Sequence, residues 1–380
     1  MSGRVARALC TAALAAVVAA SPAVAEPSAP DPAPASGAAP QSVAGLLKQL
    51  QTLYRKAEEA GELHNATEEK LRKRTAEARK LRTELARART ALGAGRRDAG
   101  RLARDQYQGR TGFSVYLRLL LAEDPARALE QGHVIERVQA GRSAVIDRLT
   151  GAERHAEALA ARSRAAQKRQ RVLAARQKKQ RDAVRARLKG IEAVLASLSA
   201  EQLAALAALE EKNIDEAQGA LAASGALSSA RPPSEEGAAA VRYAVEQIGK
   251  PYAWGAEGPE SYDCSGLTSQ AWSAAGRGIP RTSQEQWRRL PRVPVGSLRP
   301  GDLVVYFPKA THVALYVGNG LVVHAPRPGA AVKVSPVASN PLLGAVRPDP
   351  EGEPLSGYRP PELPEGAASG PDTGYDAPGA

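Results

Sequence analysis

Cys264 follows Asp263 and precedes Ser265-Gly266-Leu267, where helical spacing begins with Leu267, Ala271 and Trp272. A cysteine at a helix N-terminus faces unsatisfied backbone N–H groups and the positive end of the helix dipole, which favour thiolate over thiol. That is the condition for a nucleophile, although position alone suits a structural cysteine equally well. Of five histidines, His64, His133 and His155 fall in a long helical stretch, which leaves His312 and His324 near the C-terminus. His312 opens the alternating run His312-Val313-Ala314-Leu315-Tyr316-Val317, which reads as a strand. Gly318-Asn319-Gly320 is a hairpin signal, and Leu321-Val322-Val323-His324 reads as the return strand. A three-residue loop pairs Val317 with Leu321 and puts both histidines on one face, about 7–8 Å apart on the diagonal. A two-residue loop puts them on opposite faces. A helix-start cysteine with two histidines on one face supplies a nucleophile, a base and a residue that orients the base.

Zinc chemistry fits this region poorly. The segment offers two histidines, one cysteine and scattered carboxylates, without HExxH or CxxC spacing, whereas zinc needs three or four ligands. No metal or organic cofactor is implied.

The rest of the chain divides into segments around these residues. Arg4 and Arg7 precede an apolar run from Ala8 to Ala20, and Ala23-Val24-Ala25 supplies a cleavage signal, so residues 1–25 read as a signal peptide cut after Ala25. The expectation is a secreted protein of the extracellular space or cell wall. Cys10 leaves with the signal, so Cys264 is the lone cysteine of the mature chain and has no internal disulfide partner. Residues 26–40 form a Pro/Ala-rich linker. A heptad register then runs from Leu46 to Leu92, through Ala57, Ala60, His64, Thr67 and Arg74, until Gly93, Gly95 and Gly100 interrupt it. An apolar tip around Phe113 and Leu117–Leu121 follows, and a second helical pattern starts after Pro125 with a polar centre at Gln170, Gln177 and Gln180. Residues 41–221 thus predict a coiled-coil helical domain folded as an antiparallel hairpin, with a parallel dimer as the competing arrangement. Residues 222–237 read as a second linker, 238–348 as the globular domain, and 349–380 as a disordered, acidic Pro/Gly-rich tail.

Composition agrees with that division. The 380 residues carry a net charge of +12 and only 4 % aromatics, and all three tryptophans lie at 254, 272 and 287. Residues 41–230 carry +13 and residues 231–380 carry −1. The basic helices read mainly as a solvated face, with attraction to an anionic wall polymer as the functional alternative. Nucleic acid is excluded as a partner because no aromatics interleave the basic residues.

Pro251-Tyr252-x-Trp254-Gly255, Asp263-Cys264-Ser265-Gly266-Leu267, Pro280-Arg281-Thr282-Ser283, Pro300-Gly301-Asp302-Leu303, His312-Val313-Ala314-Leu315-Tyr316 and His324-Ala325 together resemble the NlpC/p60 family. The resemblance covers roughly residues 238 to 348. It implies an α+β papain-like catalytic domain and hydrolysis of peptidoglycan stem peptides, usually between γ-D-glutamate and the following diamino acid. By position it makes Cys264 the nucleophile, His312 the base and His324 the third member. It also sets Tyr252 beside the oxyanion site, Asp263 in a substrate-amine pocket, and Ser265, Arg281 and Ser283 among the substrate-binding residues. Asp263 also suits a plain helix cap, Tyr252 plain packing, and Arg281 and Ser283 a structural turn. The layout further resembles secreted members with an N-terminal coiled coil, which implies contact with a membrane division complex or masking of the active site. Two rival readings stay open: a non-catalytic wall-binding scaffold, and a papain-like amidase or acyltransferase on another substrate.

Overall fold

The structure, a computed structural model, describes residues 42–108, 125–227 and 231–368. The signal peptide, the first linker, the apolar tip around Phe113 and the last residues of the tail lie outside that range.

Helix α1 (Val43–Tyr107) starts at Ser42, whose side chain accepts from the Gly45 N–H. It does not stop at Gly93, Gly95 or Gly100, against the sequence reading. A helical glycine costs only about 1 kcal/mol relative to alanine, and Gly95 lies against Leu149 of the opposing helix. Helix α2 (Pro125–Ala196) runs back along α1. Ala78, Leu81 and Ala88 pack against Ala156, Leu159 and Ala166, which makes the pair an intramolecular hairpin. At the polar centre the Gln170 side-chain amide donates to Thr75 Oγ1 at 3.0 Å, while Arg74, assigned to the seam by the heptads, is exposed.

The chain then turns at Ser197–Ser199, through 112°, into a third helix that the heptads did not reveal, α3 (Ala200–Ala223). Ser199 and Gln202 form its capping box. Leu46, Leu50, Tyr54, Ile191 and Leu206 bury the junction of the three helices.

The globular domain begins earlier than the linker reading placed it, at α4 (Glu235–Glu246), followed by α5 (Cys264–Ala274) and α6 (Ser283–Arg289). Six antiparallel strands follow: β1 (Arg292–Val293), β2 (Leu303–Tyr306), β3 (His312–Gly318), β4 (Leu321–His324), β5 (Lys333–Pro336) and β6 (Leu342–Val346), in the order β1-β6-β2-β3-β4-β5. Trp272, Leu267, Val241 and Ala244 from α4 and α5 pack on Leu303, Val313, Leu315 and Val323 of the sheet, and the Trp272 indole donates to the Gly301 carbonyl at 3.1 Å. The opposite face, with Val304, Tyr306, Ala314 and Tyr316, takes Leu221 of α3.

The segment read as a disordered tail is strapped to this domain as far as residue 368. Asp349 is 2 % exposed, pairs with the buried Arg299 at 2.9 Å and accepts from Ser234. Further on, the Val334 N–H donates to the Ala367 carbonyl. The composition is that of a disordered chain, but one buried ion pair and a few backbone bonds hold it down.

Candidate active site

The β3–β4 hairpin places the two histidines. Leu315 pairs with Val323 and Tyr316 with Val322, as the sequence register expected. Beyond them the register shifts, Gly318 pairs with Leu321, and Asn319 and Gly320 form the turn with φ of 54° and 72°. The loop is thus the two-residue kind, and the irregularity at Val317 restores the parity that a two-residue loop would have broken. His312 Nε2 lies 2.9 Å from His324 Nδ1, and His324 Nε2 lies 3.0 Å from Ser335 Oγ on β5. All three residues are at least 98 % buried.

Asp263 caps α5 through the Gly266 N–H, so Cys264 is the first residue of the helix. The backbone N–H of Val313, next to His312, points at the Cys264 sulfur and favours its charged form. The thiol is nonetheless pushed well above its ordinary range, first by burial and then by the carboxylates of Glu62, Asp263 and Glu58. The helix N-terminus alone suggested the opposite. Burial comes first, and of the three carboxylates Glu62 and Glu58 belong to α1, which lies over the site.

Tyr54, Glu58, Gly61, Glu62 and Asn65 fall on one face of α1. Glu58 Oε1 is 3.4 Å from His312 Nδ1. Glu62, 3 % exposed, accepts from Ser265 Oγ at 2.6 Å, from the Ser283 N–H at 3.2 Å and from the Cys264 thiol at 3.7 Å. Burial, reinforced by Asp263, pushes the Glu62 carboxyl up to about 8. The Asn65 amide donates to Asp263 Oδ2 at 3.0 Å. Gly61 permits this approach, since a Cβ there would sit 2.3 Å from Trp254 Nε1. Helix α3 docks alongside: the Gln218 amide donates to the Gly320 carbonyl at 3.1 Å and its oxygen accepts from the Ala338 N–H at 3.0 Å.

Residues 249–344 match the NlpC/P60 family. The chain carries an NlpC/P60 domain. It is 43 % identical over 118 residues to a probable endopeptidase of Corynebacterium glutamicum, a stretch that covers 31 % of this chain and 56 % of that protein. It is 39 % identical over 110 residues to a probable endopeptidase of Mycobacterium tuberculosis, covering 29 % of each. Among solved structures, the NlpC/p60 domain of the peptidoglycan hydrolase SagA is 36 % identical, with 97 % of that chain and 29 % of this one covered and a TM-score of 0.28. The chain therefore spans about half the length of the first relative (56 %) and less than a third of the second (29 %).

Within the NlpC/P60 domain, every residue singled out in the sequence lies at or beside the cysteine–histidine cluster. Arg281 grips both oxygens of Asp263, at 3.0 and 2.7 Å, and reaches Ser265 Oγ at 2.9 Å. Ser283 donates its hydroxyl to the Ala310 carbonyl at 2.7 Å, so its backbone N–H is the group offered to the site. Tyr252 is packed on the core, and burial followed by the neighbouring Cys264 and Asp263 pushes its hydroxyl well above the ordinary range. Sequence reasoning missed Ser335, Glu58, Glu62 and Asn65. No sequence pattern marked them; only in the folded chain is Leu63 48 % exposed while Glu62 beside it is buried, the reverse of a solvated helix face.

Proposed function

We propose that this chain is a peptidoglycan endopeptidase that cuts stem peptides by Cys-His-His catalysis, most suitably at the γ-D-glutamyl–diamino acid bond, and that α1 holds it latent. The observation that carries the reading is the buried His312–His324–Ser335 chain, with Cys264 at the start of α5 and the Val313 backbone N–H, next to His312, acting on its sulfur. The names of the relatives, probable endopeptidases and a peptidoglycan hydrolase, agree with it.

His312 commits Nε2 to His324, which leaves Nδ1, the nitrogen now facing Glu58, for the cysteine. Once α1 lifts, His312 Nδ1 takes the Cys264 proton and the thiolate attacks the amide carbonyl carbon. First-turn N–H groups of α5 and the Tyr252 hydroxyl hold the oxyanion. The imidazolium gives its proton to the departing nitrogen as the C–N bond breaks and a thioester remains. Water, deprotonated by the same nitrogen, then cleaves the thioester, and the returned proton restores the thiol.

Glu62 and Asn65 stand where substrate groups belong. A carboxylate seated on Ser265 and the Ser283 N–H, and an N–H donor seated on Asp263, are what a γ-glutamyl residue preceded by a free amine would offer. Secretion fits this substrate, and the basic hairpin suits an anionic wall polymer or a membrane division complex as a second partner. Mass spectrometry of defined stem peptides, incubated with the full chain and with its Cys264→Ala variant, tests the reading. The expected result is an alanyl-γ-glutamyl fragment from the wild type alone. Intact peptides, or fragments from both chains, count against it.

A further inference from the structure

A cavity of about 820 Å³ lies between α1, α3 and the sheet. Its domain-side wall holds Phe307, His324 and Arg327, and its helical wall holds Tyr54, Glu58 and Glu210. The groups that would seat the acyl half of a substrate, Asp263, Ser265, Arg281 and Ser283, do not line it. It occupies the histidine side of the site. A departing nitrogen takes its proton from the catalytic imidazole, so the fragment that leaves as an amine must extend to that side.

Arg327 follows His324 by three residues and is 9 % exposed. Its guanidinium meets the Glu210 carboxylate of α3 at 2.9 Å and lies 4.6 Å from the centre of the Tyr54 ring of α1. Both contacts come from the cover. The setting is dry enough that burial pushes the Tyr54 hydroxyl up to about 12, with Arg327 lowering it and Glu210 raising it. A buried guanidinium needs an anion, and its planar fork suits a carboxylate best. When α1 and α3 withdraw to admit a peptide, they take Tyr54 and Glu210 with them, and Arg327 is left on the wall beside the histidines.

We propose that Arg327 is a specificity residue that binds a carboxylate on the amine-side fragment of the substrate, with Glu210 occupying that place in the covered chain. The substrate class is a peptide whose residue after the scissile bond bears a free carboxylate rather than its amide. This rests on the peptidase reading and extends it to the leaving half of the substrate. The closed chain thus carries two stand-in carboxyl groups, Glu62 on the acyl side and Glu210 on the leaving side.

The test uses the full chain and two synthetic stem peptides that differ only in a carboxylate or carboxamide on the residue after the scissile bond. With both peptides in one tube the fraction of uncovered enzyme cancels, because each meets the same population. The wild type is expected to favour the carboxylate about tenfold, mostly through KM. Arg327→Gln is expected to bring the ratio near one, and Arg327→Lys is expected to keep part of the preference. A wild-type ratio near one, or a ratio unchanged in Arg327→Gln, overturns the proposal and leaves the peptidase reading standing. A second measurement is independent of cleavage: calorimetric binding of the amine-side product peptide to full-length Glu210→Gln. Binding there that Arg327→Gln abolishes supports the carboxylate site even if neither peptide is cut, an outcome that instead removes the peptidase reading.

Discussion

Glu62 accepts a hydrogen bond at 2.6 Å from Ser265, the residue after Cys264 and 203 positions away from Glu62 in the chain. A glutamate of α1, only 3 % exposed, is thus seated against the first turn of the helix that Cys264 begins. Its neighbours on the same face, Glu58 and Asn65, meet His312 and Asp263, so one stripe of α1 engages His312, Ser265 and the helix cap Asp263 together. Removing that stripe should expose the thiol. In the full chain, Glu58→Gln combined with Glu62→Ala is expected to raise the rate of Cys264 alkylation by iodoacetamide about tenfold or more, followed by the mass of the modified protein. An unchanged rate means that α1 does not control access to the sulfur.

The cover should also respond to pH. Glu62 ionises near 4.5 when free and near 8 when docked among Asp263, Arg281, Ser265 and the Ser283 N–H. Below about 4.5 it is neutral in both states and docking has its full strength. As pH rises toward 8 the released helix ionises while the docked one keeps its proton, so docking weakens across that window and changes no further above it. The ratio of Cys264 alkylation in the wild type to that in Glu62→Gln cancels the thiol's own titration. It is expected to climb from pH 4.5 to 8 and then level off, and a flat ratio contradicts the assignment.

Ser335 should matter to the histidines. For His312 Nδ1 to act as a base it must be bare, so Nε2–H donates to His324 Nδ1, and His324 must carry its own proton on Nε2, facing Ser335. The serine hydroxyl oxygen accepts a hydrogen bond from that Nε2–H and fixes the tautomer. Ser335→Ala is expected to lower kcat roughly tenfold with KM little changed, and to shift the tautomer balance of His324 in nitrogen NMR spectra. A normal tautomer with normal kcat removes Ser335 from the relay.

The tail strap offers a stability test. Arg299 and Asp349 are 7 % and 2 % exposed, so Asp349→Ala leaves a buried guanidinium without its carboxylate. A loss of about 3 kcal/mol is expected in urea unfolding, since removing one partner of a buried pair costs more than the pair itself is worth. A loss below about 1 kcal/mol shows that the strap is held by its backbone bonds alone.

Much of the placement of Cys264, His312 and His324 was legible in the sequence because strand period and helix capping are local rules. The alternation from His312 to Val317 fixes which side chains share a face, and Asp263 before Cys264 marks a helix start. The loop length at Gly318–Gly320 was not legible, because a bulge and a longer loop give the same register. The heptads found the hairpin but assigned His64 and Thr67 to its seam, whereas His64 also stacks on Trp254 of the domain at 4.4 Å between ring centres. Glu58, Glu62 and Asn65 read as solvated surface, since nothing in a helix's own sequence records a partner some 200 residues away. Arg327 and Ser335 belong to no local pattern and become visible only when strands, helices and cover are assembled. The tail was misjudged for the same reason: Asp349 is held by Arg299 and Ser234, and neither is near it in sequence.

The most direct test of a cysteine peptidase covered by its own helix compares three full-length chains on one stem peptide: the wild type, Gly61→Leu, and Gly61→Leu with Cys264→Ala. Leucine at position 61 collides with Trp254, which a Cβ alone would already approach to 2.3 Å, and so should lift α1 while leaving Cys264, His312 and His324 in place. The expected result is cleavage at least about tenfold faster in Gly61→Leu than in the wild type, and none in the double variant. Equal rates in the first two chains, or cleavage that survives the loss of Cys264, would contradict it.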